Sequence, residues 1–226
     1  MEFTPIWISL KTAVIATIFT TVFGVLFAYL VMKVKKGKVF FDSVFTLPMV
    51  LPPTVTGFLL LVVFGKNSMI GRFLTDIGCP IVFSFWGCVV SAFVCSFPLV
   101  YRGARGAFEQ MDQELIGIGK TLGLSEVTIF FRVIIPNCKG SILASVMLAF
   151  ARSMGEFGAT IMVAGNIPGK TQTMATAIYT AVQSGNRDIV YIWVIIMIAI
   201  AFVGILLMNI YEGRCNRKNG RERGFF

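Results

Sequence analysis

The sequence has 226 residues, of which 56% are hydrophobic and 14% are charged, so it has too little polar surface to coat a water-soluble globule. Its net charge of +9 is spread over loops on one side of the apolar segments, which favours membrane topology and attraction to anionic lipid over nucleic-acid binding. Histidine is absent, which excludes an intramembrane hydrolase with a histidine base, and the five cysteines lack the CxxC spacing of a metal site.

Five apolar segments are long enough to cross a hydrocarbon core about 30 Å thick, which takes roughly 20 helical residues. They cover residues 12–32, 43–64, 81–101, 140–164 and 189–211. A sixth segment, 171–184, is too short and too rich in Thr and Gln to span alone, so we predict a re-entrant or surface helix there. The sequence therefore predicts an all-α bundle of about five transmembrane helices that forms one domain over residues 1–226.

Most of the 20 Lys and Arg residues fall in three regions: after the first span, between the third and fourth spans, and in the C-terminal tail. Cytoplasmic loops of membrane proteins carry an excess of these residues. We therefore expect the N-terminus outside the cell and the C-terminus in the cytoplasm, which an odd number of spans requires.

Three prolines lie within six positions in the second span: Pro48, Pro52 and Pro53. Each removes an amide donor and disturbs the preceding turn, so this helix must kink or break near its cytoplasmic end. Such a break is tolerated in a membrane only against protein or a watery cavity. We therefore predict that Pro52, Pro53, Thr54 and Thr56 line a translocation pathway; a kink that only fits neighbouring helices is the alternative.

Two opposite charges, Arg152 and Glu156, lie four residues apart in the fourth span, about 18 Å along a helix that starts at Gly140. An isolated charge at that depth costs about 2.5–3.5 kcal/mol on insertion scales, so the two should pair with each other or with another helix. Small residues around them permit close helix packing, as at a gate or a subunit interface. A static ion pair is the alternative. The candidate gate residues are Arg152, Ser153, Glu156 and Thr160.

A region of about 38 residues, 102–139, connects the third and fourth spans and is too long for a simple connection. It predicts a short helix over 113–124 and a second one with Ser125 as N-cap, followed by an apolar stretch, 129–135, that ends at Pro136. Short helices with exposed apolar residues indicate a docking surface for another protein. Helices that lie on lipid are the alternative.

The chain lacks a nucleotide-binding loop. Gly169-Lys170-Thr171 and Gly119-Lys120-Thr121 match the end of a phosphate-binding loop, but Ala164 and Glu114 stand where its first glycine is required. ATP, if it is used, must therefore be bound by a separate chain.

The connecting region resembles the permease subunits of bacterial ABC importers. Gly123 is followed, after nine residues, by the Val133-Ile134-Ile135-Pro136 ending typical of that superfamily, although Gly117-Ile118-Gly119 replaces the family's Glu-Ala-Ala. The resemblance implies that this region couples the chain to an ATP-binding subunit. The coupling residues that it implies are Glu114, Gly119, Gly123, Phe131 and Pro136.

A second resemblance, over residues 149–160 and 165–173, is to the molybdate permeases, and residues 47–53 resemble that family's proline-rich second span. Sulfate permeases share much of the pattern. The resemblance implies a type I-like ABC importer permease fold in the cytoplasmic membrane of a bacterium or archaeon. It also implies a homodimer of this chain, two ATP-binding subunits that hold ATP and Mg, and an extracytoplasmic oxyanion-binding protein. The chain itself would bind no cofactor or metal and would not be an enzyme.

Molybdate is the expected substrate, with sulfate, tungstate and thiosulfate as alternatives. An ion-coupled carrier is a second hypothesis, against which the scarcity of carboxylates inside the spans argues, since Glu156 is the only one well inside. A membrane sensor or scaffold that uses the connecting region as a dock is a third.

Overall fold

The computed structural model describes residues 3–34 and 36–222, and every regular element in these ranges is a helix. We number the helices in chain order. The longer ones are α1 (Thr4–Lys33), α5 (Phe85–Gln110), α8 (Ile135–Met154) and α11 (Arg187–Glu222). The shorter ones are α2 (Lys38–Val50), α3 (Pro53–Phe64), α4 (Met69–Asp76), α6 (Gln113–Thr121), α7 (Glu126–Ile129), α9 (Gly158–Val163) and α10 (Met174–Gln183). A π-helical turn, Phe130–Ile134, joins α7 to α8.

Four stretches are long and apolar enough to cross a membrane: Thr4–Lys33, Phe85–Gln110, Glu126–Met154 and Arg187–Leu206. The bent pair formed by α2 and α3 makes a fifth if it counts as one span. The prediction of an all-α bundle with about five spans is confirmed. Helix α10, with 10 residues, rises only about 15 Å and is too short to cross alone, as the sequence predicts.

Helix α1 packs along α5 through a face of small side chains. A Cβ atom at Gly24 would lie 3.0 Å from Cγ1 of Val100, and the hydroxyl groups of Thr20 and Ser96 are 3.0 Å apart. This face is buried, whereas the opposite face is apolar and exposed, as expected for a helix that meets lipid on one side. The buried positions are Ala13, Ala16, Thr20, Gly24 and Ala28. The exposed positions are Val14, Ile18, Val22 and Leu26.

The second span breaks at its prolines. Helices α2 and α3 meet at an angle of 113° because Pro52 and Pro53 lack amide donors to continue α2. The halves have 13 and 12 residues, so each rises only about 18–20 Å and neither crosses alone. Phe45 holds α2 in place, with its ring centroid 5.1 Å from those of Phe27 and Tyr101. The predicted break is confirmed.

The fourth span differs from the prediction at both ends. Residues 126–154 form one continuous helical stretch, in which a π-helical turn directly precedes Pro136, so Pro136 does not end the apolar stretch. The prediction of a single helix over 140–164 is wrong, because α8 ends at Met154 and α9 begins at Gly158. Glu156 therefore lies in the break between two helices.

The third span also extends further than its hydropathy indicates. Helix α5 continues to Gln110, so the first part of the predicted connecting region, 102–110, is helical. The apolar run ends at Arg102, yet the helix continues, and Arg105 is buried in it beside acidic partners, as a paired charged residue can be.

Candidate functional site

The connection between α5 and α8, residues 111–134, is here called the connecting segment. Asp112 caps α6 by accepting a hydrogen bond from the backbone N–H of Glu114 at 2.9 Å. Gly123 has φ +74°, a conformation that favours glycine, and it reverses the chain after α6. Ser125 then caps α7 by accepting from the N–H of Thr128 at 3.2 Å, which confirms its predicted N-cap role.

The helices of the connecting segment pack against each other at Gly119 and also expose apolar side chains. Gly119 is buried, and a Cβ atom there would lie 3.1 Å from Cγ1 of Ile129. The segment carries a group of exposed apolar residues, which we call the connecting patch. Its members are Leu115, Ile118, Leu122, Val127 and Phe131.

The five predicted coupling residues lie in the connecting segment or directly after it, and their environments differ. Gly119 packs against Ile129 of α7, Gly123 forms the turn, and Phe131 belongs to the connecting patch. Glu114, in the first turn of α6, is exposed, and Pro136 is exposed at the start of α8. Their role in coupling stays a prediction.

Contacts to α1 tie the connecting segment to the spans. Lys33, the last residue of α1, forms a salt bridge with Glu126 of α7. The ring of Tyr29 lies 4.5 Å from that of Phe130, and the ammonium group of Lys33 lies 4.4 Å from the Tyr29 ring centroid. A displacement of α7 would therefore act directly on the end of α1.

A cluster of charged residues that sequence reasoning missed fastens α2 to α5. The guanidinium of Arg105 is buried, with Nε 3.5 Å from Asp42 Oδ1 and Nη2 3.1 Å from Glu109 Oε1. The same Glu109 oxygen lies 3.1 Å from Nζ of Lys38, and the hydroxyl of Tyr101 donates to Asp42. The four-residue spacing of Arg105 and Glu109 indicates in the sequence that these two can pair on one helix. Nothing in the sequence indicates that they also contact α2.

The two broken spans meet backbone to backbone. A Cβ atom at Gly57 of α3 would lie 2.7 Å from Cα of Ala159, and one at Gly158 of α9 would lie 2.8 Å from Cβ of Pro53. The hydroxyl of Ser91 donates to the carbonyl of Ala159 at 3.2 Å, which adds α5 to the contact. The structure thus brings together the two segments that the sequence separately assigned to a pathway.

Arg152 and Glu156 form the predicted ion pair. Nη1 of Arg152 donates to Oε2 of Glu156 at 2.6 Å, although Glu156 lies beyond the end of α8. Its other oxygen, Oε1, accepts from the backbone N–H of Ala159 at 2.8 Å, so it also caps the start of α9. The Glu156 side chain is 1% exposed, whereas that of Arg152 is 37% exposed.

The other predicted pathway residues divide into exposed and buried groups. Pro52, Pro53 and Thr54 are exposed at the start of α3. Thr56, Ser153 and Thr160 are buried, and the hydroxyl oxygens of Thr56 and Ser153 have no hydrogen-bond partner in the described part of the chain. Seven of the eight candidates lie in α3, α8, α9 or the α8–α9 break, and Pro52 lies in the α2–α3 break. Whether they line a pathway stays a prediction.

Comparison with known proteins agrees with this architecture. The family model described as binding-protein-dependent transport system inner membrane component matches residues 20–217. The chain belongs to this family. As an inner membrane component it is an integral membrane protein, and the ABC transporter permease subunits related to it are not themselves enzymes.

The relatives of this inner membrane component include named permeases. It is 42% identical over 209 residues to the molybdenum transport system permease protein ModB of Escherichia coli (strain K12), with 91% of each chain covered. It is 40% identical to the putative molybdenum transport system permease protein YvgM of Bacillus subtilis (strain 168), with 92% of each covered. The sulfate transport system permease protein CysT of Salmonella typhimurium is 29% identical, over 93% of this chain and 76% of CysT.

A solved structure shares the fold of this inner membrane component. A chain of the MetNI methionine ABC transporter, in inward-facing conformations, superposes with a TM-score of 0.73 over 93% of this chain and 94% of that chain. The identity is 12%, so this likeness concerns the fold alone. The expected ABC importer permease fold is confirmed.

Substituting Glu156 with alanine is expected to lower the free energy of unfolding of this inner membrane component by about 1–3 kcal/mol. Arg152 would lose its partner, and the N–H of Ala159 would lose its acceptor. Thermal unfolding in detergent measures the effect, with Glu156→Gln as the matched control because an amide oxygen can still accept. Equal stability of wild-type and alanine proteins would show that the pair is incidental.

Proposed function

We propose that the chain is the membrane-spanning permease subunit of an ATP-driven importer of molybdate. The observation that carries this proposal is the similarity to molybdenum permeases over 91% of the chain, together with a helical bundle whose two broken spans pack against each other beside the Arg152–Glu156 ion pair. Sulfate is the second candidate because the sulfate permease CysT is also related. Its lower identity, 29% against 42% for ModB, favours molybdate.

In this proposal the connecting patch docks on a separate ATP-binding subunit. The patch offers five exposed apolar side chains on short helices, which suits a protein interface. ATP and Mg would bind to that partner, and this chain would bind no cofactor or metal. The distribution of Lys and Arg supports a cytoplasmic connecting segment, with the N-terminus outside. Two copies of the chain, two ATP-binding subunits and an extracytoplasmic binding protein would form the importer.

Transport would follow an alternating-access cycle. ATP binding would draw the partner subunits together, and the connecting segment would transmit this movement to α1 through Lys33 and Glu126. The contact between α3 and α9 would then shift and open the pathway between the two copies. The proposed pathway residues are Pro52, Pro53, Thr54, Thr56, Arg152, Ser153, Glu156 and Thr160.

Reconstitution tests this function. The permease, its ATP-binding subunit and the binding protein are placed in proteoliposomes, and uptake of radiolabelled molybdate is measured with and without ATP. We expect ATP-dependent uptake that unlabelled molybdate suppresses and an equal concentration of sulfate does not. Gradient-driven uptake by the chain alone would favour an ion-coupled carrier, preferential uptake of sulfate would favour a sulfate permease, and no uptake would contradict the proposal.

A further inference from the structure

One face of α8 is not covered by the other described helices, and it carries a charge. Ser141 and Leu148 are exposed on this face, and Arg152, one turn beyond Leu148, is partly exposed. Ala151 and Gly155, close to Arg152 along α8, line a cavity with Thr17 and Met197, which lie near the middle of their own spans, so Arg152 lies deep in the bundle. An arginine at such depth faces protein or water instead of lipid. This face therefore belongs to an interface or to a water-filled pathway.

The guanidinium of Arg152 has hydrogen-bonding capacity to spare. It carries five N–H donors, and in the described part of the chain it makes one hydrogen bond, from Nη1 to Glu156. Its other nitrogen atoms are not among the buried polar atoms that lack a partner, so they remain accessible. Glu156 is also held by the N–H of Ala159, so Arg152 can contact a second group without releasing it.

The free N–H donors of Arg152 belong to a positively charged group, so they favour binding of an anion. A planar guanidinium matches the paired oxygens of an oxyanion with two parallel hydrogen bonds, and these are stronger than bonds between neutral groups. An anion that crosses the membrane also needs a compensating charge where water is scarce. The carboxylate of Glu156, which is bonded to Nη1 of the same guanidinium, would weaken the attraction, so a bound anion could leave again.

We propose that Arg152 contacts the tetrahedral, doubly charged oxyanion as it passes between the two copies, and that Glu156 positions this guanidinium. The proposal rests on the proposed importer function and adds to it a residue that recognises the substrate. Two copies of the chain place two such guanidinium groups on the pathway, one from each subunit.

Two variants that both lose the ion pair separate the charge of Arg152 from its structural role. Glu156→Gln keeps the positive charge, whereas the double variant Arg152→Gln with Glu156→Gln removes it and leaves no unpaired charge behind. We measure ATP-driven uptake of labelled molybdate and of labelled sulfate by each assembled transporter in proteoliposomes. Uptake by the double variant is expected to be at least about ten-fold lower than by Glu156→Gln. A smaller difference overturns the proposal.

If the double variant does not assemble, the Arg152→Lys variant tests the proposal instead. Lysine keeps the charge and the pair with Glu156 but lacks the two-pronged geometry, so anion uptake per ATP hydrolysed should fall by about three-fold or more. An unchanged ratio overturns the proposal. Absence of molybdate and sulfate uptake by the wild-type transporter would instead contradict the importer function itself, so the two failures are distinguishable.

Discussion

Substituting Gly57 with alanine is expected to lower the free energy of unfolding of the permease by about 1–3 kcal/mol and to reduce anion uptake about ten-fold or more. The new Cβ atom would lie 2.7 Å from Cα of Ala159 and 2.9 Å from Cβ of Met162. The nearest of these is a backbone atom, which no rotamer change can move. Helices α3 and α9 must therefore separate at the place where the two broken spans meet.

The matched control is Gly204→Ala. Gly204 lies in α11, and a Cβ atom there would meet nothing within 4 Å, so alanine should leave stability unchanged or raise it by up to about 1 kcal/mol. Thermal unfolding in detergent and uptake in proteoliposomes measure both variants. If Gly57→Ala were as stable and as active as Gly204→Ala, the close contact of α3 and α9 would be wrong.

Substituting Gly123 with valine is expected to leave the permease inserted and assembled while ATP hydrolysis no longer drives uptake. Gly123 has open space around it, so the effect arises from its φ of +74°. A β-branched residue is an outlier in that conformation, at a cost of roughly 1–2 kcal/mol. The turn would adopt another conformation and redirect α7, which displaces Val127 and Phe131 from the connecting patch.

Gly78→Val is the control for backbone strain alone. Gly78 has φ +76° and equally open surroundings, but it lies in the connection after α4, away from the connecting segment. Uptake per ATP hydrolysed should fall at least about five-fold in Gly123→Val relative to Gly78→Val. Normal coupling in Gly123→Val would count against the proposed docking role of this segment.

Local chemistry made most of the spans predictable. Apolar runs of roughly 20 residues indicate membrane helices from composition alone, and the break between α2 and α3 follows from prolines that lack a donor. Hydropathy failed where polar residues continue a helix, as Arg105 does in α5. Hydropathy also did not predict the end of α8 at Met154, because the apolar run continues beyond it. Glu156 lies outside the helix there and caps the start of α9.

The candidate site was predictable only where the partners are close in sequence. Arg152 and Glu156 are four residues apart, and the cost of isolated charge in a membrane indicates their pairing. The contact of Asp42 with Arg105 joins helices far apart in the chain, and neither residue alone indicates it. Likewise, Gly57 is one glycine among 22 in the sequence, and only the distance to Ala159 distinguishes it.

In the proposed importer, a separate ATP-hydrolysing subunit binds the connecting segment and moves it. A photo-reactive residue at Leu122, which is 72% exposed in the connecting patch, tests this claim in native membranes. A second one at Phe202, exposed on α11, serves as the control. We expect a crosslink from position 122 to an ATP-binding protein, with a yield that changes when ATP is added, and none from position 202. Crosslinks from position 122 only to lipid or to proteins without ATPase activity would contradict it.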